Sequence, residues 1–166
     1  MQVYTGNGKG KTTAAIGLAV RAVGAGMRVY FAQFLKSGDY SEKNVLEALD
    51  NLVLRQYGAG GFITRRPSAE DRAAAARGLE EAREALKGGA YDLVVLDEAN
   101  VACGLGLITA DDILSLLRDR PGTTELVVTG RNAAPELIEA ADLVTEMKEV
   151  KHYFTAGVPA RKGIES

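Results

Sequence analysis

Nine residues near the start of the chain, Thr5-Gly6-Asn7-Gly8-Lys9-Gly10-Lys11-Thr12-Thr13, bring together the groups that bind a polyphosphate. Glycines let backbone N–H groups turn inward and approach an anion closely. A helix starting near Lys11 would aim its positive end at the same point, worth about 0.3–1 kcal/mol per anionic group. Lys11 offers a point charge for the outer phosphates, and Thr12 a hydroxyl for Mg²⁺. The spacing departs from G-x-x-x-x-G-K-[ST]. Counting back from Gly10, the opening position is Thr5, and the nearest opening glycine, Gly6, makes the loop one residue shorter. The glycines do not fit G-x-G-x-x-G either. Candidate nucleotide-binding residues are Gly6, Asn7, Gly8, Lys9, Gly10, Lys11, Thr12 and Thr13.

Two further groups stand where apolar runs end. Leu93-Val94-Val95-Leu96 leads into Asp97-Glu98, and a carboxylate at the end of a buried strand is where a phosphate-binding-loop protein holds Mg²⁺ or a water. Asp97 or Glu98 could reach an ion held by Thr12; taken alone, the pair could equally cap a helix or face solvent. Val127-Val128-Thr129 leads into Gly130-Arg131, and Arg131 could pair with phosphate or with a surface carboxylate. Phe62 in Gly60-Gly61-Phe62 could form an apolar wall or a core contact. His152 could act as acid or base, or serve as a hydrogen-bonded structural residue. Cys103 reads as a small apolar residue. The basic tail residues Lys148, Lys151, Arg161 and Lys162 read as a solvated face.

The elements that must position these groups alternate between apolar runs and helical patterns. Strands are expected at Met1 to Thr5, Val29 to Phe34, Leu52 to Tyr57, Leu93 to Leu96, Leu126 to Thr129 and Leu143 to Met147, the last on an edge. Helices are expected from Lys11 to about Val23, from Ser41 to Asp50, after Ser68, after Thr109, and from Pro135 to about Ala140. Ser68 with Asp71, and Thr109 with Asp112, have capping-box spacing. Ala75, Leu79, Ala82 and Leu86 share one face of the third helix, with Glu80, Glu81, Arg83 and Glu84 on the other side. No period is visible from Lys148 to Ser166. Buried runs alternating with helices imply an α/β fold, a mostly parallel sheet flanked by helices on both faces, with residues 1–166 as one domain. The Gly-Lys-Thr loop and the Asp97-Glu98 pair make a P-loop NTPase (RecA-like) type the expectation.

Composition bounds the remaining classes. The chain has 166 residues, 46% of them apolar, which argues against disorder. Twenty Lys and Arg against 22 Asp and Glu leave a net charge of −2, so a nucleic-acid binder working through bulk positive charge is not expected. One cysteine excludes an internal disulfide, and one histidine a multi-histidine metal centre. No apolar run approaches the roughly 20 residues of a membrane helix, and since the chain starts on a strand-like Gln2-Val3-Tyr4-Thr5, no signal peptide is expected. A soluble cytoplasmic domain is expected.

Residues alone give a nucleoside-triphosphate site with Mg²⁺ but not its reaction, because attack can fall on the γ-phosphorus or on the ribose 5′-carbon. The whole chain resembles the P-loop family of ATP:cob(I)alamin (corrinoid) adenosyltransferases. The resemblance is carried by Thr5 to Ala15, Gln33-Phe34-Leu35-Lys36, Gly61-Phe62, Val94 to Glu98, Thr129-Gly130-Arg131, Val150-Lys151-His152 and the ending Ala156 to Glu165. It implies transfer of the 5′-deoxyadenosyl group of ATP to the Co(I) of a reduced corrinoid, with release of triphosphate. Lys11, Thr12 and Glu98 would serve catalysis, and Thr12, Glu98 and Asp97 the metal. Arg131 would join the nucleotide site, and Phe62 would help displace the lower axial base. A homodimer and a reductase partner supplying electrons are further implications. The alternative is a RecA-like ATPase or a small-molecule kinase, motivated by the loop and the Asp-Glu pair alone. Two departures stand out: Thr64 occupies the place of a usual tryptophan, and the first strand begins where many members carry an N-terminal extension.

Overall fold

A computed structural model describes residues 1–59 and 66–164. Its strands are β1 (Gln2–Thr5), β2 (Val29–Phe34), β3 (Leu52–Tyr57), β4 (Leu93–Asp97), β5 (Glu125–Thr129) and β6 (Leu143–Glu146). They form one six-stranded sheet in the order β3-β2-β4-β5-β1-β6, with every neighbouring pair parallel. The helices are α1 (Lys11–Gly24), α2 (Ser41–Leu46), α3 (Ala69–Lys87), α4 (Ala99–Gly104), α5 (Ala110–Asp119) and α6 (Pro135–Ala140), followed by a 3₁₀ turn at Tyr153–Ala156. This is the expected α/β class with a P-loop at the end of β1.

Two apolar layers explain why the strand runs are continuous rather than alternating. On one face of the sheet, Tyr4, Phe31, Val95 and Val127 pack against Ala15, Ala19 and Ala22 of α1 and Leu46 of α2. On the other, Val3, Ala32, Phe34, Val94, Leu96 and Val128 meet α3, α4, α5 and α6, through residues such as Leu86, Ala102, Ile113 and Leu137. Successive residues of β4 therefore serve opposite layers. Both capping boxes form, at Ser68 with Asp71 and at Thr109 with Asp112. β6 lies at the sheet edge with all four residues exposed.

Three expectations need correction. α2 stops at Leu46 rather than Asp50, because the chain must turn to enter β3 at Leu52. Helix α4 follows Glu98 where no element is expected; six residues show no helical period, and neither a capping side chain at Glu98 nor a proline in its first turn marks its start. Glu81 is not a simple solvated charge, since it accepts a hydrogen bond from the Tyr57 hydroxyl at 2.7 Å, which in turn lies 2.5 Å from that of Tyr30.

Candidate functional site

Parallel strands deliver their C-terminal ends to one edge of the sheet. There β1, β2, β4 and β5 place the glycine loop, Lys36, Glu98 and Arg131 around a cleft of about 950 Å³, with Asp97 behind Thr12. The register is specific. Gln33 of β2 pairs with Asp97 of β4 on one side and Gln56 of β3 on the other, which lines up a row of polar groups across three strands.

The glycine loop is shaped from two sides. Gly6 and Gly10 have φ of 94° and 121°, conformations that side chains rarely adopt. Gly8 is needed for space: a Cβ there would lie 2.8 Å from the Met147 carbonyl oxygen, the same oxygen that accepts the Gly8 N–H at 2.7 Å. The loop is thus packed against the chain leaving β6. Gly10 precedes α1 without a side-chain cap, an arrangement that can present the first-turn N–H groups of that helix to an anion. Lys11 reaches back into the loop, donating to the carbonyls of Gly6 at 2.7 Å and Gly8 at 2.8 Å. Burial, reinforced by Arg131, holds its ammonium below the usual lysine range. Lys9 points the other way and donates to the Ile164 carbonyl at 2.7 Å and to the Tyr153 hydroxyl at 3.3 Å.

Asp97 is fully buried and joins three strands and a helix. Its Oδ1 accepts from Thr12 Oγ1 at 2.8 Å and Thr129 Oγ1 at 2.7 Å. Its Oδ2 lies 3.2 Å from Lys36 Nζ and 3.4 Å from Gln33 Nε2. Lys36 also contacts Glu42 Oε1 at 3.1 Å. Burial pulls the Lys36 ammonium down, but Asp97 and Glu42 outweigh it and hold it above the usual range. Glu98 has φ of 62°, which turns its carboxyl out of the strand line toward the cleft, while its N–H donates to Thr129 Oγ1 at 3.0 Å. Burial, then Asp97, raises its carboxyl above the usual range. Arg131 follows Gly130, whose φ is 129° and whose carbonyl accepts from Asn100 Nδ2 at 3.2 Å. Ile16, Leu35, Val101, Leu105 and Ile164 line the apolar part of the cleft wall.

A family model described as ATP:corrinoid adenosyltransferase BtuR/CobO/CobP matches residues 1–166. The corrinoid adenosyltransferase of Pseudomonas aeruginosa is 40% identical over 165 residues, covering 98% of this chain and 81% of that protein. That of Escherichia coli K12 is 39% identical over 165 residues, covering 98% and 83%. One from a Sinorhizobium species is 37% identical over 167 residues, covering 98% and 78%. The chain belongs to the ATP:corrinoid adenosyltransferase family. It transfers the adenosyl group of ATP to a corrinoid.

Against that activity, the positions of the expected residues sort clearly. Gly8, Lys9, Gly10, Lys11, Thr12, Thr13, Glu98 and Arg131 all line the cleft. Gly6 shapes it from behind, and Asp97 stands one layer back, reaching it through Thr12. Asn7 is exposed, and Phe62 lies outside the described residues. His152 lines the cleft too, and its Nδ1 accepts the Phe154 N–H at 3.1 Å, capping the 3₁₀ turn. Cys103 is partly buried, and burial pushes its thiol up to about 11, in keeping with an apolar role. Lys36, Glu42 and Asn100 carried no individual site assignment. Lys36 has a usable signal, a charge two residues beyond the buried strand β2, comparable to Asp97 at the last position of β4. Glu42 had none, since it comes to the cleft only through the turn of the chain into α2.

Proposed function

We propose that ATP lies with its triphosphate in the Gly6–Gly10 loop and its 5′-carbon toward a bound corrinoid, whose Co(I) attacks that carbon. A cobalt–carbon bond forms with the electron pair of Co(I), the bond from the 5′-carbon to oxygen breaks, and triphosphate leaves. The observation that carries this reading is the convergence of loop amides, Lys11 and Arg131 on one cleft beside Thr12, because a triphosphate leaving group needs charge stabilisation and little else. Co(I) is itself a strong nucleophile, so the reaction asks for no general base. Among the described residues, no group of three or more His, Cys, Asp or Glu is arranged to enclose a metal ion. Mg²⁺ bound with a polyphosphate takes only one or two protein ligands, and the Thr12 hydroxyl with Glu98 beside it and Asp97 behind fits that need. When bound, Mg²⁺ would supply neutralisation of the departing triphosphate.

Lys11 orients the polyphosphate, exchanging its loop carbonyls for phosphate oxygens. Asp97 fixes the Thr12 hydroxyl. Phe62 is assigned to displacing the lower axial base on the strength of the family resemblance. Forming Co(I) takes an external reductant, so the reading includes a reductase partner, together with a homodimer and a cytoplasmic setting. The test is incubation with ATP, Mg²⁺ and chemically reduced cobalamin, followed by identification of the phosphate product. Triphosphate together with light-sensitive adenosylcobalamin is expected. ADP with phosphate, formed without corrinoid, would make the chain a P-loop ATPase instead.

A further inference from the structure

The ionic cluster beyond β2 has a feature that nucleotide binding does not require. Leu35 stands at φ of 64°, a left-handed conformation costly for a residue with a side chain. Gly58 packs so closely that a Cβ there would lie 2.8 Å from the Leu35 carbonyl carbon and from the Lys36 carbonyl oxygen. Together they bend the chain off the strand line and set Lys36 against Asp97 and Glu42, at 3.2 and 3.1 Å, with the side chain only 15% exposed. Both oxygens of Asp97 are already engaged, Oδ1 by two hydroxyls and Oδ2 by Lys36 and Gln33. The carboxylates at this end of the cleft are Asp97, Glu98 and Glu42, and the cations are Lys36, Lys11 and Arg131. When all are ionised the two sets cancel, leaving no excess negative charge to draw in a bare divalent cation.

We propose that Lys36 is a resident counter-ion that keeps the metal position from loading without nucleotide, so that the divalent cation enters with the polyphosphate, which brings the missing negative charge. This rests on the functional reading above for the place of the metal. Lys36 acts through Asp97 and Glu42 and is a positioning residue. Its removal leaves an uncompensated buried carboxylate beside Thr12 and Glu98, which favours a bare cation.

The test measures Mn²⁺ uptake by the full chain through the electron paramagnetic resonance signal of free Mn²⁺, with and without ATP. Wild type is expected to take up Mn²⁺ only with ATP. Lys36→Met should bind Mn²⁺ in the absence of ATP about tenfold more tightly or better, a gain that a merely loosened structure would not produce. Lys36→Arg should behave as wild type. Lys36→Gln, with thermal unfolding to confirm the fold, should shift in the same direction as Lys36→Met and serves if that variant does not fold. Unchanged Mn²⁺ binding in folded Lys36→Met or Lys36→Gln overturns the proposal, as does tight uptake by wild type without ATP. So does a loss of metal-free ATP affinity with no gain in Mn²⁺ binding, which would make Lys36 a phosphate contact. Wild type that binds ATP under no condition overturns the functional reading instead.

Discussion

At the residue scale, each charged group in the cleft is held by a different local device. Lys11 hangs from two carbonyls of its own loop, so replacing it removes charge without opening the core. Lys11→Ala should keep the wild-type unfolding temperature within a few degrees and lose at least two to three orders of magnitude in kcat, the scale on which fixed charge stabilisation acts; adenosylcobalamin formation under reducing conditions measures it. Glu98 offers a pH test. The folded protein holds its proton more tightly than the unfolded chain does, so the ionised carboxyl costs stability, increasingly as pH rises through the elevated folded value. Glu98→Gln should therefore raise the unfolding temperature at pH 7 and lose that advantage as pH falls toward about 4, while lowering turnover. Thermal scans across pH read the first effect and the product assay the second.

At the element scale, two helical glycines make opposite predictions from the same substitution. Gly17 lies on the exposed side of α1, where an added Cβ meets nothing within 4 Å. Gly17→Ala should stabilise by about 0.5–1 kcal/mol through helix propensity alone. Gly78 in α3 is buried, and its Cβ would stand 2.7 Å from the Tyr57 ring and 3.0 Å from Phe34. The Tyr57 ring cannot yield easily, because its hydroxyl is tied to Tyr30 and Glu81. Gly78→Ala should lose about 1–3 kcal/mol despite the better helix former; urea unfolding of both variants gives the two signs. The same contrast shows what was readable beforehand. Gly78 falls within a helix whose ends and apolar face are plain in the sequence, yet nothing local says that the helix presses its backbone onto an aromatic pair.

At the scale of the whole molecule, the final residues return to the site. Lys9 bonds the Ile164 carbonyl, Gly163 and Ile164 line the cleft, and Arg161 lies 4.9 Å over the Tyr153 ring. The tail reads as a solvated basic face by composition, but the structure makes part of it a wall. Deleting residues 158–166 should leave the fold nearly unchanged, since the two core layers lie elsewhere, and should weaken ATP binding several-fold by opening the cleft. Isothermal titration against the intact chain checks it; equal affinity would assign the tail another role.

The strands, the principal helices, the phosphate loop and the Asp97-Glu98 pair were determined by local chemistry: apolar runs, capping spacings and glycines need only their neighbours to be recognised. The sequence brings Asp97 or Glu98 toward Thr12, but tertiary structure alone decided that it is Asp97, 85 residues away, that accepts the Thr12 hydroxyl directly, and that Lys36 completes its charge. It also decided that Met147 sets the need for a glycine at position 8. The physical reason is the parallel sheet, which brings distant strand ends to one edge in an order, β3-β2-β4-β5-β1-β6, unrelated to the order of the chain.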